Sequence, residues 1–176
     1  MTATWSQQRV GENYLQNPVG IAWPKLAGGN YKSDLFVSGS AKSANDASVF
    51  RIKYSDPQQS TVPVTLSGSS PGPIAVTETS LYYFDSAKQM LLKKAVDPDK
   101  STPEPIVSGV LNLKGMAGYN DRLYYVDGDR IGMWKPGSGT QPQYVIQGLD
   151  HPKSIDVDRY GYLYVSISGK AAGGTS

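Results

Sequence analysis

One side-chain position recurs along the chain at the end of an apolar run: Ser38, Asp85, Asp127 and Ser166. A ring of carboxylates and small hydroxyls could meet a cationic or hydroxyl-rich ligand, although Asp at such a place also caps its own turn. Lys88, Lys114, Arg130 and Lys153 are interspersed among these positions, and pairing with the acids would gain little where both groups are exposed. The one histidine, His151, stands in Leu149-Asp150-His151-Pro152 and would have to serve as the base of any Ser-His-Asp triad. That tetrapeptide reads as an exposed turn. A literal Gly-x-Ser-x-Gly match occurs at Gly68-Ser69-Ser70-Pro71-Gly72. A nucleophile elbow needs a helix straight after the serine, and Pro71-Gly72-Pro73 breaks one, so the match reads as a loop. Trp5 and Trp134 occupy matching places, which argues for packing, whereas Trp23 breaks the pattern and could stack on a sugar, with packing as its plainer role.

The 176 residues suit one domain with a real core. With 39% hydrophobic and 18% charged residues the chain is neither disordered nor membrane-embedded. A net charge of +2 gives no reason to expect nucleic acid. No apolar run approaches the ~20 residues of a membrane span. Zero cysteines exclude a disulfide scaffold, a thiol nucleophile and a cysteine metal site. The polar start carries no hydrophobic signal core, which fits a cytoplasmic chain or a mature secreted form equally. No cofactor is expected.

The elements that position these residues come from a repeat. Pro73-Ile74-Ala75-Val76 followed by Leu81-Tyr82-Tyr83-Phe84-Asp85 is echoed by Gly115-Met116-Ala117 with Leu123-Tyr124-Tyr125-Val126-Asp127, and by Ser154-Ile155-Asp156-Val157 with Tyr162-Leu163-Tyr164-Val165-Ser166. Ile74 to Phe84, Met116 to Val126 and Ile155 to Val165 are each ten positions; Ile21 to Val37 is sixteen, with an insertion around 25–33. Val37, Phe84, Val126 and Val165 are spaced by 47, 42 and 39 residues, the period of a four-stranded propeller blade. The second strand of each unit is apolar at consecutive positions, as expected when both sheet faces are covered. The fourth strands share an ending, Leu66-Ser67-Gly68, Val107-Ser108-Gly109 and Ile146-Gln147-Gly148, whose glycine supplies the turn into the next unit. Pro63 and Pro105 are expected at the start of these outermost strands, where a missing donor faces solvent.

These units divide the chain as follows: 18–68, 71–110 and 111–148 are complete blades, and 151–168 supplies the first two strands of a fourth. Residues 1–17 are expected to supply its other two, because Ala3-Thr4-Trp5-Ser6 resembles Gly132-Met133-Trp134-Lys135 and Asn13 to Asn17 resembles Tyr144 to Gly148. Residues 169–176 read as a flexible tail. The expected fold is all-β: a β-propeller of four four-stranded blades, one shared by the two termini. Two alternatives stay open. The chain could be half of a larger ring made by two chains, a homodimer through the shared terminal blade, or a fragment of a six-bladed propeller.

The pattern Leu81 to Asp85, Ile106-Val107-Ser108-Gly109 and Gly115-Met116-Ala117 resembles the propeller superfamily that includes NHL repeats and the YWTD repeats of lipoprotein-receptor ectodomains. His151-Pro152-Lys153-Ser154-Ile155-Asp156-Val157-Asp158 with Gly161-Tyr162-Leu163-Tyr164-Val165 is similar to the form of NHL-like blades. The resemblance implies fold across the whole chain; relatives include protein and RNA binders, lactonases and lyases. A lactonase of this kind would hold a divalent cation with oxygen ligands, for which Asp156, Asp158, Asn120 and Asp121 are the candidates, with turn chemistry as the plainer role. Amidating-lyase relatives use several histidines, and this chain has one.

The expected function is a non-catalytic binding or scaffolding module with a protein partner, met by the loops at the channel mouth. The candidate contacts are Ser38, Asp85, Asp127, Ser166, Lys114, Asp150, His151, Lys153 and Trp23. A carbohydrate-binding, lectin-like propeller is the alternative, and an NHL-like metal-dependent hydrolase comes after it.

Overall fold

A computed structural model describes residues 15–24, 34–42, 46–53, 56–96 and 102–169. Its strands follow the repeat. β1 (Leu15–Ala22), β2 (Leu35–Ala41), β3 (Ala47–Lys53) and β4 (Asp56–Leu66) form one antiparallel meander. β5 (Ile74–Val76), β6 (Ser80–Asp85), β7 (Met90–Ala95) and β8 (Glu104–Ser108) form the second. β9 (Leu113–Tyr119), β10 (Arg122–Asp127), β11 (Arg130–Trp134) and β12 (Tyr144–Ile146) form the third. β13 (Pro152–Val157) and β14 (Leu163–Ile167) make a two-stranded sheet. This is a propeller-like, all-β fold whose sheets are not closed into a ring by any described strand. No helix among the described residues is long and apolar enough to cross a membrane.

The core lies between sheets, which explains the consecutive apolar positions of the second strands. Leu81 and Tyr83 turn toward the first sheet and pack with Phe36, Val49 and Val64. Tyr82, between them in sequence, turns the other way and packs with Leu123, Tyr125 and Trp134 of the third sheet. Tyr124 and Val126 then meet Ile155 and Val157 of the last sheet. Side chains alternate across a strand, so a strand covered on both faces must be apolar at every position. Trp134 is buried in this way, edge-on to Tyr82 with ring centroids 6.3 Å apart and with Lys93 Nζ 5.5 Å from its ring. The packing role expected for it is the one it has. Trp5, its counterpart, lies outside the described residues.

The shared ending of the fourth strands is a backbone requirement. Gly68, Gly109 and Gly148 adopt φ of 73°, 73° and 75°, the left-handed region where glycine carries no steric cost. Asn17, aligned with Gly148 in the sequence, has φ 49°.

Several boundaries differ from expectation. β1 begins at Leu15, and Leu15 and Gln16 pair with Ala41 and Ser40 of β2 instead of joining the last sheet. The rest of the segment expected to complete that sheet, 1–14, lies outside the described residues, as do the insertion 25–33 and most of the expected tail, 170–176. β4 is longer than expected, and Pro63 sits inside it at a register shift between the pairs Val49–Val64 and Arg51–Thr61. A bulge on the outermost strand accommodates the missing donor as well as a strand start would. β2 runs on to Ala41, so Ser38 lies inside its strand, whereas Asp85 and Asp127 end theirs.

Candidate functional site

In this topology the turns β2–β3, β6–β7 and β10–β11 and the connections β4–β5, β8–β9 and β12–β13 gather at one end of the sheets. Asp85, at the end of β6, is only 4% exposed. Its Oδ1 accepts hydrogen bonds from Ser69 Oγ (2.9 Å), Ala87 N (3.1 Å) and Lys88 N (3.2 Å), and Lys88 Nζ lies 3.2 Å from Oδ2. Burial opposes its charge, but the hydrogen bonds from Ser69 and Lys88 outweigh it and hold the carboxyl below its ordinary value. Asp85 thus caps its own turn and ties it to the β4–β5 loop.

Asp127, 2% exposed at the end of β10, spans further. Oδ1 accepts from Asn112 N in the β8–β9 connection (2.9 Å), and Oδ2 accepts from the Tyr144 hydroxyl of β12 (2.7 Å). Arg130 Nη2 is 3.6 Å from Oδ2, and its guanidinium lies 3.9 Å from the centre of the Tyr144 ring. Burial first, and then the hydrogen bond to Asp127, pushes the Tyr144 hydroxyl up to about 12. Ser38 Oγ donates to Gly72 O at 2.5 Å, joining the first sheet to the start of the second. Lys114 Nζ donates to Gly128 O at 3.3 Å.

At Ser38, Asp85 and Asp127 the recurring position therefore ties the second strand of a sheet to the loop that enters or leaves that sheet. The oxygens of Asp85 and Asp127 are engaged by protein donors. Ser166 differs: it is exposed and pairs in register with Ser154. At the same end the β12–β13 connection exposes His151 and leaves Asp150 half-buried, and Lys153 is exposed at the start of β13. His151 takes φ 52°, and its Nδ1 contacts Asp150 Oδ1. The serine that reaches His151 is Ser168, which donates to the backbone carbonyl and not to the ring. Ser69 and Ser70 sit in a loop followed by strand and not by a helix; Ser70 N donates to Ser86 Oγ.

Trp23 is not with these groups. It follows β1, at the opposite end from the loops that enter the sheets, and is 44% exposed. With Pro24 it lines a cavity of about 580 Å³ bounded by all four inner strands: Ile21–Ala22, Ile74–Val76, Met116–Gly118 and Ser154–Asp156.

The oxygen ligands implied by the lactonase resemblance are used singly. Asp158 accepts from Tyr160 N (2.8 Å), Tyr162 N (3.0 Å) and Tyr164 OH (3.2 Å) and shapes the β13–β14 turn. Asp156 accepts from Val157 N at 2.8 Å. Asn120, with φ 53°, and Asp121 form the β9–β10 turn. No cluster of three or more His, Asp or Glu suited to a metal ion occurs among the described residues. These donors do not fit a shared cation.

The sequence reading missed Ser69, Asn112 and Tyr144 as the partners that fix the acids. The repeat holds the signal for the loop residues, since Ser69 and Asn112 stand in corresponding connections; Tyr144 carries no such signal.

No family model matches the chain, and no curated protein matches it. Among solved structures it is similar to a chain in the crystal structure of a nidogen/laminin complex, with a TM-score of 0.62 and 17% identity over 81% of this chain. The likeness is one of fold. It covers 53% of that chain, so this chain spans about half the length of the structure it matches.

Proposed function

We propose that the chain is a non-catalytic protein-binding module, built from NHL/YWTD-like blades, that uses the loop end of its sheets. The observation that carries this reading is the division of labour among the charged groups there. The buried acids hold loops in place, while Lys88, Asp129 and His151 are exposed on those loops, Asp150 is half-buried beside His151 and Lys153 is exposed at the start of β13. Groups of both signs, set on loops tied to rigid sheets, form a surface that a protein partner can complement. That the similar chain comes from a nidogen/laminin complex, a protein assembly, supports the reading.

The test is retention of a partner from a source extract on the immobilised chain, compared with a Lys153→Glu/Asp129→Lys variant. Loss of the retained protein in a variant that melts like the parent is the expected result. Equal retention by both overturns the loop-end assignment. A rise in melting temperature with calcium or zinc would point to a metal hydrolase instead.

Trp23 favours a second reading. A half-exposed indole on a cavity of about 580 Å³ that Ser154 and Asp156 also line is a platform on which a sugar could stack. Binding to immobilised glycans, weakened by Trp23→Ala, would place the ligand there.

A further inference from the structure

We infer that the β10–β11 turn receives an acidic segment of the partner protein, the Arg130 guanidinium taking a carboxylate and Leu111 packing against an apolar side chain next to it. This rests on the loop-end reading above and names the partner chemistry of that surface. The repeat sets an acid and a base three residues apart at this turn: Asp85 with Lys88, and Asp127 with Arg130. In the second sheet the pair closes, with Lys88 Nζ 3.2 Å from Asp85 Oδ2. In the third sheet it does not. Tyr144 stands where the second sheet has Pro105, four residues before the turn glycine, and its hydroxyl takes Asp127 Oδ2 at 2.7 Å. Arg130 Nη2 is left 3.6 Å from that oxygen, and Nε is 3.7 Å from Asp129 Oδ1, both beyond hydrogen-bond length. Nε is buried with no hydrogen-bond partner, and the two Nη nitrogens are open. The Tyr144 ring, 3.9 Å from Cζ, holds the guanidinium in place. A planar fork with unused donors matches a carboxylate, which accepts two parallel N–H bonds, in a way that a lysine point charge does not.

Leu111 stands on the other side of the same carboxylate. Asn112 N, next to it in the chain, donates to Asp127 Oδ1 at 2.9 Å, and Gly128 N donates to Asn112 O at 3.0 Å. On its other flank Gly109 N and Val110 N donate to Gln89 O, and Val110 is fully buried. The backbone is thus held on both sides of Leu111, yet the side chain is 70% exposed. The second residue after the turn glycine is Ser70 in the preceding connection and Asp150 in the following one, so the fold asks for no leucine here. An arginine with unused donors is a frequent anchor of a protein interface, and an apolar side chain beside it on fixed backbone needs little ordering on binding. The complement is a segment that carries Asp or Glu next to an apolar residue.

Panning a phage-displayed library of random dodecapeptides on the immobilised full chain tests this, with fluorescence anisotropy on the enriched peptides. Those peptides are expected to place Asp or Glu beside an apolar residue, and Arg130→Gln should raise their Kd by about tenfold or more, the effect of losing a hydrogen bond between charged groups. Replacing the peptide's acid by alanine should make Arg130→Gln nearly silent, which a merely structural role of the arginine would not do. Leu111→Ser, which introduces the residue of the preceding connection at an exposed site, should weaken the same peptides at an unchanged melting temperature and serves where Arg130→Gln fails to fold. Arg159→Gln, at the opposite end of the sheets, should leave Kd unchanged. No enrichment, enriched peptides without an acid, or binding indifferent to both loop-end substitutions overturns the inference. If such indifferent peptides are still lost with Lys153→Glu/Asp129→Lys, the loop-end reading stands without it; if they are lost only with Arg159→Gln, both fall.

Discussion

Asp85 and Asp127 occupy the same place in consecutive sheets and serve it with different partners: a serine hydroxyl and two turn amides for one, a loop amide and a tyrosine hydroxyl for the other. Leaving a buried carboxylate without such donors would cost more than the bonds themselves contribute. For Asp85 the consequence is a pH dependence of definite sign. Its folded pKa is depressed below the ordinary 3.8. The unfolded chain therefore binds the proton first, and the stabilisation is complete above the unfolded value and lost as pH falls through the folded one. Asp85→Asn should lower stability at neutral pH and flatten the acid limb of the stability curve, measured by urea unfolding between about pH 2 and pH 7. An unchanged acid limb would remove this carboxylate from the account. Asp85, Asp127, Lys88 and Arg130 were legible as residues of interest, and the turn-capping role of Asp was legible too. Which acid would reach a neighbouring loop was not, because that depends on how close one sheet's entry lies to its own turn.

At the level of elements, the third sheet depends on a close pair. Gly132 on β11 is the cross-strand partner of Tyr125 on β10. The Tyr125 ring lies over that glycine, so that an added Cβ would fall inside the ring. Gly132→Ala therefore has to move a fully buried tyrosine in the core between the second and third sheets. A loss of ~1–3 kcal/mol in denaturant unfolding is expected, as for other overpacked cores. The strands themselves were largely readable: β6 and β10 fall on the Tyr-rich runs. The misplaced limits share a cause. Pro63 was read as a beginning because local chemistry does not show that a bulge will absorb it, and Leu15–Gln16 were read as a fourth strand because the repeat marks equivalence but not the partner.

For the whole molecule, stability is shared between neighbouring sheets: among the described residues the main contacts between sheets run from each to the next. Such a stack should respond unequally to equivalent truncations. Leu123 is fully buried between the second and third sheets, while Leu163, on the last sheet, is only partly covered. Leu123→Ala is expected to cost ~2–5 kcal/mol, the usual range for a buried leucine, and Leu163→Ala clearly less. Equal losses in urea unfolding would argue against sheet-by-sheet stacking.

The sequence by itself determined the all-β class, the blade period, the turn glycines Gly68, Gly109 and Gly148, and the two-faced burial of the second strands. Each of these follows from local sterics or from side-chain alternation along a strand, which neighbouring residues carry between them. Only the tertiary structure decided that the recurring acids are spent on the scaffold and that Trp23 lies at the opposite end of the sheets from the loops, on the cavity between the inner strands. Those outcomes depend on distances between segments far apart in the chain, and no spacing along one copy of the repeat encodes how the next copy is set against it.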